Sequence, residues 1–347
     1  MMPLENVDPE KLTSLLKQFQ GRRVLVVGDI IVIRFVEVAA RKLAREAPVP
    51  AGDLIGETFL PGGAANLSRE LVSLGASVNV VGLVGPDEPG TWLGSAFDKA
   101  GVGHGGVVVD GSRPTSLRTW IMVNNFHMLR IDREDRRDAP LELSKRLLAN
   151  ARPKIKDVDC VVISDYDKGA VTSSLISGIV DEAHAAGKII VGQPKMHHYS
   201  DFAGVTYVKS NLEEAAHAIG MSMVNETSLR NMAVNLISRL ECKAILVTRG
   251  DLGITLFDSE NMTHFPPMGG KKNLFSKVGV RDAMTGVFAM SVASGGTPYQ
   301  ASILSNLAGG VRSELPRTAS LSVHDLEART ADVGDFARRI VQAPVRR

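Results

Sequence analysis

SRELVSLGASVNVVGLVG, residues 68–85, sets the fold. Its first half reads as a helix stopped by Gly75, and its second, SVNVVGLVG (77–85), as a continuous apolar strand. The same alternation runs outward in both directions. Upstream, residues 9–20 read as a short amphipathic helix and RRVLVVGD (22–29) as a buried strand ending in Gly-Asp. Downstream come the helix GTWLGSAFDKAG (90–101), the strand DCVVISDYDKG (159–169), a helix near 173–186 and KIIVGQPK (188–195). VTYVKSN (205–211), helices near 212–219 and 226–240, KAILVTRG (243–250) and a hairpin-like region at 253–265 continue the series. Strands that are apolar throughout, alternating with helices, predict an α/β fold with a parallel sheet covered on both faces. Residues 30–60 and 113–132 break the rhythm with runs such as SLRTWIMV and HMLRID, which predict a small antiparallel accessory sheet or lid. The segment 312–347 is polar and helical at best.

Composition narrows the function classes. The chain has 347 residues, 44% hydrophobic and 22% charged, enough for a sizeable core. Forty basic and 38 acidic residues leave a net charge of +2, which gives no reason to expect nucleic acid or an anionic membrane surface. The RKLAR run (41–45) and the terminal VRR read as solvated faces. Cys160 and Cys242, each in an apolar run, read as buried thiols, which fits a cytoplasmic setting. No apolar run reaches the ~18 residues a membrane span needs, and no charged-then-apolar leader opens the sequence. The pair His197-His198 reads as a polar loop feature without zinc spacing.

In an open parallel sheet, ligands bind beyond the carboxyl ends of the strands. Those ends carry Asp29, Ser164-Asp165, Pro194-Lys195, Ser210-Asn211 and Thr248-Arg249-Gly250. Their convergence on one crevice predicts a small-molecule site.

PGGAANLSRELVSLGA (61–76), EAPVP (46–50), VLVVGDIIVIRF (24–35), VVISDYDKG (161–169), NLEEA (211–215) and TRGDLGI (248–254) together carry a resemblance. The chain resembles a ribokinase/PfkB-type carbohydrate kinase over residues 22 to about 330. Within that family it is most similar to the kinase domain of the D-glycero-β-D-manno-heptose 7-phosphate kinases, whose bifunctional members append a nucleotidyltransferase domain; no such domain follows in this sequence. The resemblance implies a ribokinase-like three-layer sandwich, with a central mostly parallel sheet and a small β lid. It implies one domain over 1–335, with lid segments near 30–60 and 113–132 and a tail at 336–347.

It also implies roles. Asp29, Gly62, Gly63, Asn66 and Lys195 would meet the sugar, since glycines let a polyol approach backbone amides and Asn offers a paired donor and acceptor. Asn211, Glu214, Thr248, Arg249 and Gly250 would meet the nucleotide, with Glu214 ordering Mg²⁺ through water. ATP and Mg²⁺ are the implied cofactors, and a homodimer through the lid strands is the implied assembly, with Trp120-Ile121-Met122 as its edge.

The pattern fails where the chemistry should be. Ile33 stands where the family places an Asp against sugar hydroxyls, and a polyol there would leave a hydroxyl unpaired at roughly 1–3 kcal/mol. Trp120 replaces a basic lid residue, Arg45 a proline, and Gln193 the Asp of a D-P-K triplet. The family's D-V-T-G-A-G-D-T junction reads GVRDAMTG (279–286), so Thr285 takes the position of the proton-accepting Asp. Losing a general base costs ~10²–10⁴-fold in rate. Asp282, Ala283 and Met284 replace the glycine-rich anion hole. Asp282 reads as a helix N-cap placed where a phosphate should sit, and Met284 as volume in the same space. Asp282 as a relocated base would lie about one helical turn, ~4.5 Å, from the usual position.

These departures predict a catalytically impaired sugar-kinase-like protein that binds a sugar phosphate, a nucleotide or a protein partner. The competing readings are an active ATP-dependent kinase of a heptose phosphate or related polyol, and another enzyme reusing the crevice.

Overall fold

A computed structural model describes residues 7–221, 225–268, 278–331 and 333–345. Arg346 and Arg347 of the VRR run, and the first six residues, lie outside them. Strand β1 (Arg23–Gly28) lies inside the main sheet. Its apolar residues face both ways: Val24 and Val26 enter one core, Leu25 and Val27 the other. Burial on two faces is why this strand shows no polar alternation.

The other strands are β2 (Ile30–Leu43), β3 (Pro50–Gly63), β4 (Ser77–Val84), β5 (Gly103–Val109), β6 (Ser116–Val123), β7 (Phe126–Arg133) and β8 (Cys160–Ser164). Then come β9 (Ile189–Gln193), β10 (Tyr207–Asn211), β11 (Ala244–Thr248), β12 (Ile254–Asp258), β13 (Asn261–Phe265) and β14 (Val341–Pro344). The helices begin with α1 (Pro9–Lys17), α2 (Ala64–Ser73), α3 (Glu88–Ala100), α4 (Leu141–Ile155), α5 (Ser173–Ala185) and α6 (Leu212–Ala218). They continue with α7 (Glu226–Leu240), α8 (Val280–Ala293), α9 (Pro298–Glu314), α10 (Val323–Thr330) and α11 (Val333–Ala337).

Among the described residues, ten strands form one sheet in the order β14-β13-β12-β11-β10-β9-β8-β1-β4-β5. It is parallel from β5 to β11 and antiparallel through β12, β13 and β14. Residues of α1, α2, α3, α8 and α9 fill the core on one face, and those of α4, α5 and α7 the core on the other. The architecture is the three-layer α/β sandwich expected. Chain order reverses at β1, whose neighbours are β4 and β8, and a crevice opens beyond the strand ends at that switch point.

Two expectations need correction. The lid is a four-stranded sheet, β3-β2-β6-β7, but it is mixed: β2 and β6 run parallel from Ile31↔Ser116 to Val38↔Val123. Two antiparallel hairpins meet through their first strands, which point the same way. That places Trp120-Ile121-Met122 on an interior strand, so the free lid edges are β3 and β7. The expected C-terminal tail is no tail either. β14 pairs antiparallel with β13 and forms the last strand of the main sheet, with Val345 7% exposed.

The PGG turn explains itself sterically. Gly63 has φ 55° and ψ −135°, a conformation open to glycine, and a Cβ there would lie 2.4 Å from the Asp29 carbonyl oxygen. The turn lets α2 start directly against β1, with the Ala64 amide donating to that same carbonyl at 2.9 Å.

Candidate functional site

A cavity of about 890 Å³ lies between the lid and the carboxyl ends of the central strands. Ile31, Ile33 and Phe35 of β2 and Trp120 of β6 form its apolar wall. Gly62, Gly63 and Asn66 contribute from the β3–α2 turn. Tyr166, Asp167, Lys168 and Lys195 follow β8 and β9, and Gly279, Arg281 and Asp282 come from the start of α8. Of the residues expected to meet a sugar, Gly62, Gly63, Asn66 and Lys195 are therefore gathered around one space.

Asp29 is the exception. It is 1% exposed, and its carboxylate accepts from the backbone amides of Tyr166, Lys168 and Ala170 at 2.8, 3.1 and 2.9 Å. It shapes the loop after β8 instead of facing the cavity. Burial and the neighbouring Asp165 push its carboxyl up to about 7, against the pull of those three amides.

The junction at α8 departs from its expected form. The helix begins at Val280, with Gly279 at φ 80° as the N-cap and no side-chain cap bond. Ala283 already donates its amide to Gly279 O at 2.9 Å, so Ala283 and the residues after it lie inside the helix. Asp282 is therefore not the cap. Its carboxylate accepts from Asn66 Nδ2 at 2.6 Å and from the Tyr166 hydroxyl at 2.5 Å, which pins α8 to α2 and the β8 loop. Burial raises its pKa, while the bonds from Tyr166 and Asn66 and the charges of Arg281 and Lys209 pull it back. Met284 does not fill the phosphate space either. It packs on α9, where a Cβ on Gly309 would lie 3.0 Å from its sulfur.

Thr285 is fully buried and donates to Gln193 Oε1 and to the Arg281 carbonyl, both at 2.9 Å. Its single proton is shared between those two acceptors, and a neutral hydroxyl is far too weakly basic to take a proton from a substrate.

Asn211 and Glu214 form a capping box at α6: Glu214 N donates to Asn211 Oδ1 at 2.7 Å, and Asn211 N to Glu214 Oε2 at 3.1 Å. The other carboxylate oxygen of Glu214 accepts from Lys195 Nζ and from Arg281 Nη1, the latter at 2.9 Å. Burial favours the neutral acid, but Arg281 and Lys195 hold its pKa below the usual value. Both oxygens are thus occupied, and two cations stand where Mg²⁺ was expected to be ordered. As the side chains stand, Glu214 does not fit a magnesium role. Thr248 pairs in register with Asn211 across β10 and β11 and donates to Ser210 O at 3.3 Å. Arg249 and Gly250 follow at the same strand end, Arg249 donating to Thr255 Oγ1 at 3.4 Å and Gly250 at φ 58°.

Several residues of the site were not singled out in the sequence. Tyr166 lies inside the quoted SDYDKG, and Arg281 inside the junction itself. Lys209, 1% exposed, is a lone lysine in the otherwise apolar VTYVKSN, a signal of a buried functional or bridging amine. Burial and Arg281 lower its pKa to about 7, although Glu214 and Asp282 oppose them. Arg118 and Arg317 line the cavity and pair with Asp132 and Glu37. The histidine pair splits: His197 is exposed, but His198 is 2% exposed and is no simple polar loop residue.

Residues 22–320 match the model of the pfkB family carbohydrate kinases. The bifunctional protein HldE of Caulobacter vibrioides is 34% identical over 304 residues, covering 87% of this chain and 62% of the relative, so the chain spans about six tenths of that protein's length. Among solved structures, a putative ribokinase from Agrobacterium tumefaciens superposes with TM-score 0.72 at 19% identity, over 91% of this chain and 99% of that one. Arabidopsis thaliana ribokinase complexed with ribose and ATP gives 0.66 at 15% identity, over 91% and 100%.

Proposed function

Since this chain belongs to the pfkB family of carbohydrate kinases, we propose that it is a kinase-fold protein impaired in phosphoryl transfer that binds a sugar phosphate. The observation that carries the reading is Thr285. It sits at the family's base position, fully buried, with its hydroxyl held by Gln193 and Arg281. The helical geometry at Ala283 and the ion pair from Arg281 to Glu214 support it, since the Ala283 amide is bonded inside the helix and the Glu214 carboxylate is engaged by cations of the protein.

The cavity favours an anionic ligand with an apolar face. Arg118, Lys168, Lys195, Arg281 and Arg317 line it, paired with Asp132, Glu134, Glu214 and Glu37, and a phosphate would bind by drawing on these cations. Ile33 and Trp120 replace polar groups opposite them, and about 890 Å³ suits a heptose phosphate or a related polyol phosphate. Members of this family use ATP and Mg²⁺; here nucleotide binding rests on Thr248, Arg249 and Gly250, without help from Glu214 in its present pairing. The apolar side chains exposed on the lid support a homodimer. We place the protein in the cytoplasm; among the described residues no helix is long and apolar enough to cross a membrane.

Calorimetric titration with heptose 7-phosphate and with ATP–Mg²⁺, followed by an ADP-release assay, tests the reading. The expected result is sugar phosphate binding with turnover at least ~10²-fold below ordinary kinase rates of about 1–100 s⁻¹. Turnover within that range overturns it. The second reading, an active kinase with Asp282 as a relocated base, draws on the position of that carboxylate on the cavity wall. It predicts that Asp282→Asn abolishes ATP-dependent phosphorylation; undiminished activity removes it.

A further inference from the structure

The turn after β9 and the loop before α4 bring Asp138, His197 and His198 together. One ligand atom from each lies within 4.8 Å of the others. His198 Nε2 is 3.4 Å from Asp138 Oδ2. That separation is long for an N–H···O bond, which favours 2.7–3.2 Å. It matches the ~3.3 Å edge between two ligands of a tetrahedral zinc ion with bonds of about 2.0–2.1 Å. The two imidazole rings stand edge to face, 87° apart with centroids at 4.6 Å.

The surroundings of the buried ring point the same way. His198 Nδ1 lies 3.4 Å from Oδ2 of the fully buried Asp165. Metal-binding histidines commonly present their second nitrogen to such a carboxylate, which fixes the ring and raises its basicity. At 3.4 Å Nδ1 makes no hydrogen bond and would have to close on Asp165 by a few tenths of an ångström to make one. His197 and Asp138 are exposed, which leaves an entry path and a fourth position for water.

We propose that Asp138, His197 and His198 bind one divalent cation of the zinc class, with Asp165 orienting His198. Two imidazoles and one carboxylate favour Zn²⁺ and its late first-row neighbours over Mg²⁺ or Ca²⁺, which take oxygen ligands. The site has a structural consequence. Asp138 precedes Ala139, whose amide donates to Gly169 O at 2.8 Å, and His197 follows Lys195, whose amide donates to Asp165 Oδ2 at 3.1 Å. A bound ion would tie the segment leaving the lid to the turn that carries Lys195 into the cavity. The buried Cys160 and Cys242 do not compete for the metal.

The test is titration of the full chain, free of any affinity tag and stripped with chelator, with ZnCl₂ by calorimetry and by thermal melting. One equivalent should bind at micromolar or tighter Kd and raise Tm, and MgCl₂ should do neither. His197→Ala and Asp138→Ala, both at exposed positions, should keep the metal-free Tm and each weaken zinc binding at least tenfold. Absence of stoichiometric binding, or binding unchanged in both variants, overturns the proposal.

Discussion

Thr285 donates its hydroxyl to Gln193 Oε1 at 2.9 Å, so two positions where this sequence leaves the kinase pattern touch each other in the fold. The family implies a carboxylate at each. Here a neutral hydroxyl meets a neutral amide oxygen at sites 0% and 1% exposed, and Gln193 Nε2 is left without a hydrogen-bond partner. The pair has become part of the packed junction between α8 and β9. Thr285→Ala should therefore lower stability by about 1–2 kcal/mol, by leaving Gln193 Oε1 unpaired, and leave the rate of ADP release where it was. Urea unfolding and the ADP assay check the two halves. A rate loss of ~10² or more with little change in stability would mean that Thr285 is catalytic after all.

Restoring the acid alone should not restore the enzyme. Thr285→Asp buries a carboxylate beside Gln193 while the helix still starts at Val280 and its Ala283 amide is still bonded to Gly279. The expected outcome is a protein destabilised by about 1–3 kcal/mol with no gain in phosphoryl transfer. A gain of tenfold or more from this single change would show that the anion hole is intact.

Much of the architecture was legible because it follows from burial. The apolar runs of β1 and β8 could only be strands covered on both faces, and PGGAAN announced a turn that Gly63 alone could make. The site was less legible because its bonds join distant segments. Asn66 and Asp282 are 216 residues apart, and nothing local to RDAM announces their contact. Local propensity made Asp282 an N-cap. The tertiary pull of Asn66 and Tyr166 took its carboxylate away, and Gly279 with its positive φ began the helix three residues earlier. The lid failed differently. Alternation predicted strands correctly, but strand direction and edge depend on which hairpins meet, which periodicity does not encode.

The ion pair between Arg281 and Glu214 makes a separate claim about metal. Arg281→Ala removes one of the two cations on Glu214 and leaves a carboxylate oxygen partly free. Calorimetry should then show ATP–Mg²⁺ binding strengthened severalfold over the parent. Glu214→Gln should do the opposite structurally: Lys195 and Arg281 lose a shared counter-ion, and stability should fall by about 1–3 kcal/mol. Unchanged metal–nucleotide affinity in Arg281→Ala would mean that this guanidinium does not guard the site.

Lys209 gives a pH signature. Its amine, facing Arg281, Lys195, Glu214 and Asp282, has its pKa lowered from 10.5 to about 7 by burial and by Arg281. Between those values the unfolded chain holds a proton that the folded protein lacks. Stability from this group therefore rises with pH between about 7 and 10.5, by up to ~1.4 kcal/mol per pH unit, and below about 7 both states hold the proton and the slope is gone. Lys209→Met should flatten that slope. Urea midpoints for both proteins at pH 7.0 and 8.5 read the difference; parallel slopes would place the native amine among ordinary charged lysines.

The lid carries the last prediction. Its edge strand β7 exposes Phe126, Met128, Leu129 and Ile131, each 50% or more accessible, and the β2–β3 hairpin exposes Leu43, Leu54 and Ile55 at 61–65%. Edge strands with exposed apolar side chains invite pairing with another chain. A second copy is the simplest partner, because two lids offer each other the same edge and the same apolar surface. Sedimentation at micromolar concentration should give the mass of a dimer. Leu129→Asp with Phe126→Asp on β7, or Leu54→Asp with Ile55→Asp on β3, should shift it toward monomer, since each pair would put two charges from each subunit into a symmetric contact. Neither pair touches the main core, so far-UV circular dichroism and Tm should stay near those of the parent. The pair that dissociates the dimer identifies the edge in use. A parent that is monomeric at that concentration removes the dimer altogether.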